Sequence, residues 1–176
     1  MRRPAPALLC CCLLALARCG GAQRPESNEP LSPEPTARSV TMTLPRLGGG
    51  SLSIESYRGH PVLVTLFTTW CLRCQAEAPL FVRLAEREGA LRVVGIALDD
   101  LTKVSMVQTY VGFVGFRFPV LLAEPTNLEL VGGLGPTKQV PRTVLLDAKG
   151  VVVQDHVGQT DFPRLERALA TLLKAR

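Results

Sequence analysis

Apolar and polar positions follow distinct rhythms along this chain. A short unbroken apolar run covers 7–17, directly behind Arg2 and Arg3. Two brief alternating runs, VTMTL at 40–44 and SLSI at 51–54, flank Gly48-Gly49-Gly50 and predict a hairpin. PVLVTLF at 61–67 is apolar without a break, as in a strand covered on both faces. Residues 71–88 read as a helix, with Pro79 inside it as an expected kink. LRVVGIAL at 91–98 is a second buried strand, and Val104, Val107, Val111 and Val114 recur at helical spacing as a core-facing stripe. A short strand over 118–122 and a helical turn near 127–131 follow. Segments 143–147 and 151–157 pair across Ala148-Lys149-Gly150. Asp161 caps a last helix, Pro163 fits its first turn, and Leu165, Leu169, Leu172 and Leu173 form its apolar stripe. Buried strands alternating with helices predict an α/β domain over 40–176. Its central mixed β-sheet is flanked by helices and carries an N-terminal β-hairpin extension.

Composition narrows the classes. The chain has 176 residues, 47% apolar and 20% charged, which suits one folded domain with an extension and excludes general disorder. The formal charge is +5, but Arg2, Arg3 and Arg18 fall in the first 22 residues. What remains is nearly balanced, so no nucleic-acid partner is expected.

Residues 1–22 have the layout of a secretory signal, too short in its apolar run for a standard membrane-spanning helix. Pro4 and Ala5 do not match the twin-arginine export motif. Two processing readings stand side by side. Leu16-Ala17-Arg18-Cys19-Gly20 is similar to a bacterial lipobox, which would lipidate Cys19. Alternatively, cleavage after Ala22 would leave a soluble protein. Both remove Cys10, Cys11 and Cys12. Residues 23–39 are rich in Pro, Ser and Glu and read as a tether. The expected location is extracytoplasmic.

The domain then holds two cysteines, Cys71 and Cys74. Two are too few for a disulfide scaffold, so the pair reads as a site. A CxxC can be half of a zinc site, but His60 and His156 stand in unrelated segments and no second thiolate pair exists. We therefore expect no metal and no separate cofactor. Context favours redox chemistry. Trp70-Cys71-Leu72-Arg73-Cys74 follows a buried strand and opens a helix. Cys71 thus sits near the positive end of a helix dipole, where a thiolate is favoured. Cys74, one turn on, is within disulfide reach and can resolve a mixed disulfide made by Cys71. Arg73, a cation beside the dithiol, should favour the thiolate further and raise the reduction potential. Glu77 lies one turn past Cys74. Val140-Pro141 precedes a strand, a place where a proline is allowed and can mark a cis bond.

The segment PVLVTLFTTWCLRCQAEAP resembles the active-site block of the TlpA/ResA-like thiol–disulfide oxidoreductases, extracytoplasmic bacterial proteins of the thioredoxin superfamily. The resemblance extends from about residue 40 to the C-terminus. It includes Tyr57-Arg58-Gly59, Glu77, Pro79, Val140-Pro141 and Leu146-Asp147-Ala148-Lys149-Gly150. It implies a thioredoxin-like fold with Cys71 as attacking thiolate, Cys74 as resolving thiol and Glu77 as an acid that tunes or relays protons. Val140 and Pro141 would shape the substrate groove, with the Val140 backbone pairing to a partner peptide, and Trp70 would cover the dithiol. It further implies protein disulfides as substrates, a membrane thiol reductant as electron donor, and, in some relatives, a part in cytochrome c maturation. We expect a monomer. Thr65, Phe67, Thr68 and Arg73 depart from residues common in the family, and this bears on the direction of electron flow. Two other classes compete. Thr68-x-x-Cys71 partly matches a peroxiredoxin-type peroxidase, although Val64 stands where that pattern has proline. A metal-delivery module would want CxxxC and a well-placed histidine.

Overall fold

The computed structural model describes residues 38–124, 133–135, 137 and 139–174. The signal segment, Cys19, nearly all of the tether and the helical turn expected near 127–131 lie outside them. The elements are β1 (Thr43–Pro45), β2 (Ser51–Ser53), a 3-10 turn (Ile54–Tyr57), β3 (Val62–Phe67), α1 (Leu72–Arg87) and β4 (Arg92–Ala97). Then come a 3-10 turn (Leu101–Lys103), α2 (Val104–Val114), β5 (Val120–Leu122), β6 (Arg142–Leu146), β7 (Val152–Val157) and α3 (Phe162–Lys174).

A five-stranded sheet runs in the order β5-β4-β3-β6-β7. β3, β4 and β5 are parallel, and β6 and β7 add antiparallel neighbours. It is the expected mixed sheet, in a thioredoxin-like arrangement. The crossovers β3-α1-β4 and β4-α2-β5 step in the same direction, and right-handed crossovers then place α1 and α2 on one face. α3 joins them. Leu63, Val93 and Leu145 on that face pack with Phe81 and Leu84 of α1 and with Leu165 and Leu169 of α3. Asp161 caps α3 by accepting the Arg164 N–H at 2.9 Å. α1 runs on through Pro79.

Among the described residues, no helix longer than a 3-10 turn covers the opposite face. Residues 38–47 cross it as a strap. Val40, Met42 and Leu44 are buried while Thr41 and Thr43 face out, the alternation of an extended chain. They pack on Val62, Val64, Leu66, Val94, Ile96 and Val144. The strap bonds at both sheet borders. Ser39 bridges Val151 at the start of β7, and Arg46 bridges Leu121 of β5. The expected hairpin is present, with Leu44 opposite Leu52.

Gly133 shows how tightly the strap is held. Its φ is +72°, and a Cβ there would lie 2.6 Å from the Ser39 carbonyl oxygen. Gly133→Ala therefore combines left-handed strain with a backbone clash. We expect a cost of about 1–3 kcal/mol, read as a melting point lowered by several degrees.

Candidate active site

β3 is buried along its whole length and delivers the chain to the turn Thr68-Thr69-Trp70 at its C-terminal end. The turn is clasped from two sides. Asp99, just beyond β4, accepts the Thr69 N–H at 3.1 and 3.0 Å and the Thr69 hydroxyl at 2.6 Å. Gln75 of α1 donates its side-chain amide to the Thr69 carbonyl at 2.7 Å. Asp99 and Thr69 are both buried. The clasp fixes where α1 begins, and so where Cys71 stands.

Cys71 is the N-cap of α1, and its sulfur accepts the Cys74 N–H at 3.1 Å. Cys71 and Cys74 form a disulfide with Cα atoms 5.2 Å apart. Both are buried, beside Phe67, Ala97, Val107 and Val120, and Val140 packs on the same cluster. The Val140-Pro141 bond is cis. The Pro141 carbonyl accepts the Gly158 N–H at 2.8 Å, while the Val140 backbone has no partner among the described residues. The dithiol and the cis-proline turn therefore adjoin, although 67 residues separate Cys74 from Pro141.

Glu77 is 2% exposed and points inward. Its Oε1 accepts the Thr160 N–H at 2.6 Å and its Oε2 accepts the Thr160 hydroxyl at 3.0 Å. The Thr160 and Thr143 hydroxyls lie 2.8 Å apart. This buried polar chain runs from α1 to β6, one residue past Arg142 and two past the cis-proline. Arg73 is exposed and forms no ion pair among the described residues. Trp70 is 72% exposed, so it is a surface residue of the site and not core packing. Tyr110 of α2 packs edgewise on Phe116 and tilted on Phe67. Burial first, and then the Asp99 carboxylate, raises its phenol above the ordinary tyrosine value. Among the described residues no group of three or more His, Cys, Asp or Glu converges to hold a metal.

Sequence reasoning did not single out Asp99 or Thr160. Their partners lie 30 and 83 positions away, and only the folded sheet brings them together. An acid directly after the buried run at 91–98, and a threonine one place before the Asp161 cap, were the available signals.

A thioredoxin-like sheet that presents a capped CxxC disulfide beside a cis-proline defines a thiol–disulfide oxidoreductase. The Redoxin family model matches residues 32–169, and the chain belongs to that family. The chain is 30% identical over 121 residues to the thiol-disulfide oxidoreductase ResA of Bacillus thuringiensis, covering 68% of each. It is 30% identical over 118 residues to the thiol:disulfide interchange protein DsbE of Pseudomonas fluorescens, covering 65% of this chain and 61% of that one. Among solved structures, a secreted Mycobacterium tuberculosis disulfide oxidoreductase homologous to E. coli DsbE matches with a TM-score of 0.63 at 25% identity. That match covers 74% of this chain and 95% of the other. A DsbF homologue from Corynebacterium diphtheriae shares the fold with a TM-score of 0.71 at 21% identity, covering 81% and 97%.

Proposed function

We propose that this protein reduces disulfides in partner proteins outside the cytoplasm, with Cys71 attacking and Cys74 resolving. The observation that carries this reading is the Cys71 sulfur at the head of α1, accepting the Cys74 N–H at 3.1 Å within disulfide reach of Cys74. The free N–H groups and the helix dipole favour the anionic sulfur there. Cys71 as thiolate attacks a partner disulfide. A mixed disulfide forms, and one partner sulfur leaves as thiolate. Cys74 then loses its proton and attacks the Cys71 sulfur, which releases the second partner thiolate and closes the Cys71–Cys74 bond. Two electrons and, overall, two protons pass to the partner, and the dithiol needs no further cofactor.

Glu77 is the buried acid nearest in sequence to the resolving thiol, and it takes up and returns the Cys74 proton. Glu77→Gln is expected to slow exchange about 100-fold and flatten its pH dependence, measured as the rate of a defined disulfide at several pH values. An unchanged profile would leave Glu77 only the task of holding Thr160. The Val140 backbone, without a partner among the described residues, supports strand-like pairing with the partner segment, with Pro141 and Trp70 beside it. Arg73, exposed next to the dithiol, favours the thiolate and raises the potential, by an amount that solvent screening reduces.

The same reading takes residues 1–22 as an export signal, Cys19 as the lipid-bearing residue and 23–39 as the tether of a 40–176 domain. A membrane thiol reductant restores the monomeric protein, and haem-attachment cysteines awaiting cytochrome c maturation are its substrates. The disulfide chemistry named for the relatives supports this over a peroxidase or a metal-delivery module. The test is the Cys71/Cys74 potential together with insulin reduction by dithiothreitol. A reductant gives a value near the thioredoxin figure of about −270 mV. A value near about −120 mV would make the protein an oxidant instead.

A further inference from the structure

We propose that α2 and Trp70 form a docking groove for an apolar segment beside the cysteine of the protein disulfide partner. This deepens the exchange reading and rests on it. α2 (VSMVQTYVGFV) has no charged residue in its 11 positions. One stripe faces the core: Val107 is buried, with Val104, Tyr110, Val111 and Val114 half-buried. The outward face carries Met106 and Phe113 among the uncharged Ser105, Gln108, Thr109 and Gly112, and no described element covers it. Phe113 is 90% exposed and Met106 is 53% exposed. With Ser105, Thr109, Tyr110 and Trp70 they line a groove of about 500 Å³. A second hollow of about 480 Å³ continues from Tyr110 and Phe113 toward Gln75 and Pro79 of α1. Surface apolar residues scattered singly need no explanation, but a contiguous patch marks an interaction surface.

Position identifies the occupant. Trp70 belongs to this groove and is bonded to Cys71. A partner must bring its sulfur against Cys71, and it therefore lays its flanking residues on the surface around that sulfur. The sheet order fixes the two sides. Val140, whose backbone has no partner among the described residues, leads into β6 on one side of β3, while α2 packs over β4 and β5 on the other. One extended segment can pair with Val140 and seat an apolar side chain against Phe113 and Met106. Leu72, between the two cysteines in the chain, is also 78% exposed. Because α2 carries no charge, selection by this groove depends on apolar burial and only weakly on salt.

The experiment uses two short peptides, each with one cysteine joined to 2-mercaptoethanol as a mixed disulfide. One has Phe-Leu beside the cysteine, the other Ser-Ser. The reduced full chain is expected to react about 10-fold faster with the apolar peptide, at low and high salt alike. Phe113→Ser and Met106→Ser, both surface changes, should each bring that ratio close to one, with unaltered melting points confirming the fold. Equal rates in the unsubstituted protein, or a ratio that survives both changes, would overturn the groove. So would a concentration-dependent dimer that Phe113→Ser disperses in sedimentation, because a second copy would then be the occupant. Bis(2-hydroxyethyl) disulfide is too small to reach α2. No reaction with it would sink the exchange reading itself, which differs from a reaction that proceeds without preference.

Discussion

Replacing Cys71 with serine is expected to lower insulin reduction to the rate of dithiothreitol alone, a loss of at least about 1,000-fold for a displaced nucleophile. Serine keeps the size of the side chain and can still cap α1, so the fold should persist and the loss should be chemical. Cys74→Ser should behave differently. Cys71 still attacks, but no second sulfur stands within reach to break the mixed disulfide. The variant should therefore accumulate covalent adducts with insulin chains, seen as heavier bands on a non-reducing gel that collapse with reductant. Turnover by Cys71→Ser, or adducts formed by that variant, would reverse the assigned roles.

The second large effect is on stability. Arg142 is buried on β6, and its guanidinium bonds Asp155 of β7 through both oxygens, at 2.8 and 2.7 Å. It also donates to the Thr137 hydroxyl and the Leu134 carbonyl, which lie just ahead of the cis-proline. Asp155→Leu would leave the buried guanidinium without its counter-charge. We expect a loss of about 3 kcal/mol, the low end for breaking a buried pair because Asp155 keeps some contact with water. Urea unfolding measures it. The double variant Asp155→Leu/Arg142→Met should recover part of the loss, since it removes both charges together. Burial pushes the Asp155 carboxyl up, but bonds from Arg142 and Arg38 outweigh this and hold it below the ordinary aspartate value. A depressed folded value stabilises the fold above the unfolded one, about 3.9, and that support is lost as pH falls through the folded value. Stability should thus decline below about pH 4, and less steeply in the double variant.

Much of this architecture could be read from local pattern. The run at 61–67, apolar but for Thr65, reads as a strand covered on both faces, and it leads straight into the dithiol. The start of α1 at Leu72 follows from a CxxC placed directly after that strand. Long-range partnership could not be read. Arg142 and Asp155 look like ordinary polar positions of two strands until the β6–β7 register sets them side by side. Glu77 could equally have faced water, since its helix alone does not say which side Thr160 occupies. α2 was legible only by half. Its core stripe follows from the valine spacing, but the exposed apolar pair Met106 and Phe113 becomes evident only when both are found outside the core. Trp70, the largest side chain in the domain, would by size alone be assigned to the interior. It lies outside because the Asp99–Thr69 clasp turns the chain outward there.

The strap of residues 38–47 is attached at both lateral borders of the sheet, beside Val151 and at Leu121, by a single stretch of backbone. A fragment beginning after residue 47 would lose both attachments and lay bare the apolar face that Val40, Met42 and Leu44 cover. Proteolytic trimming at this point is therefore expected to leave a domain that associates through that uncovered face.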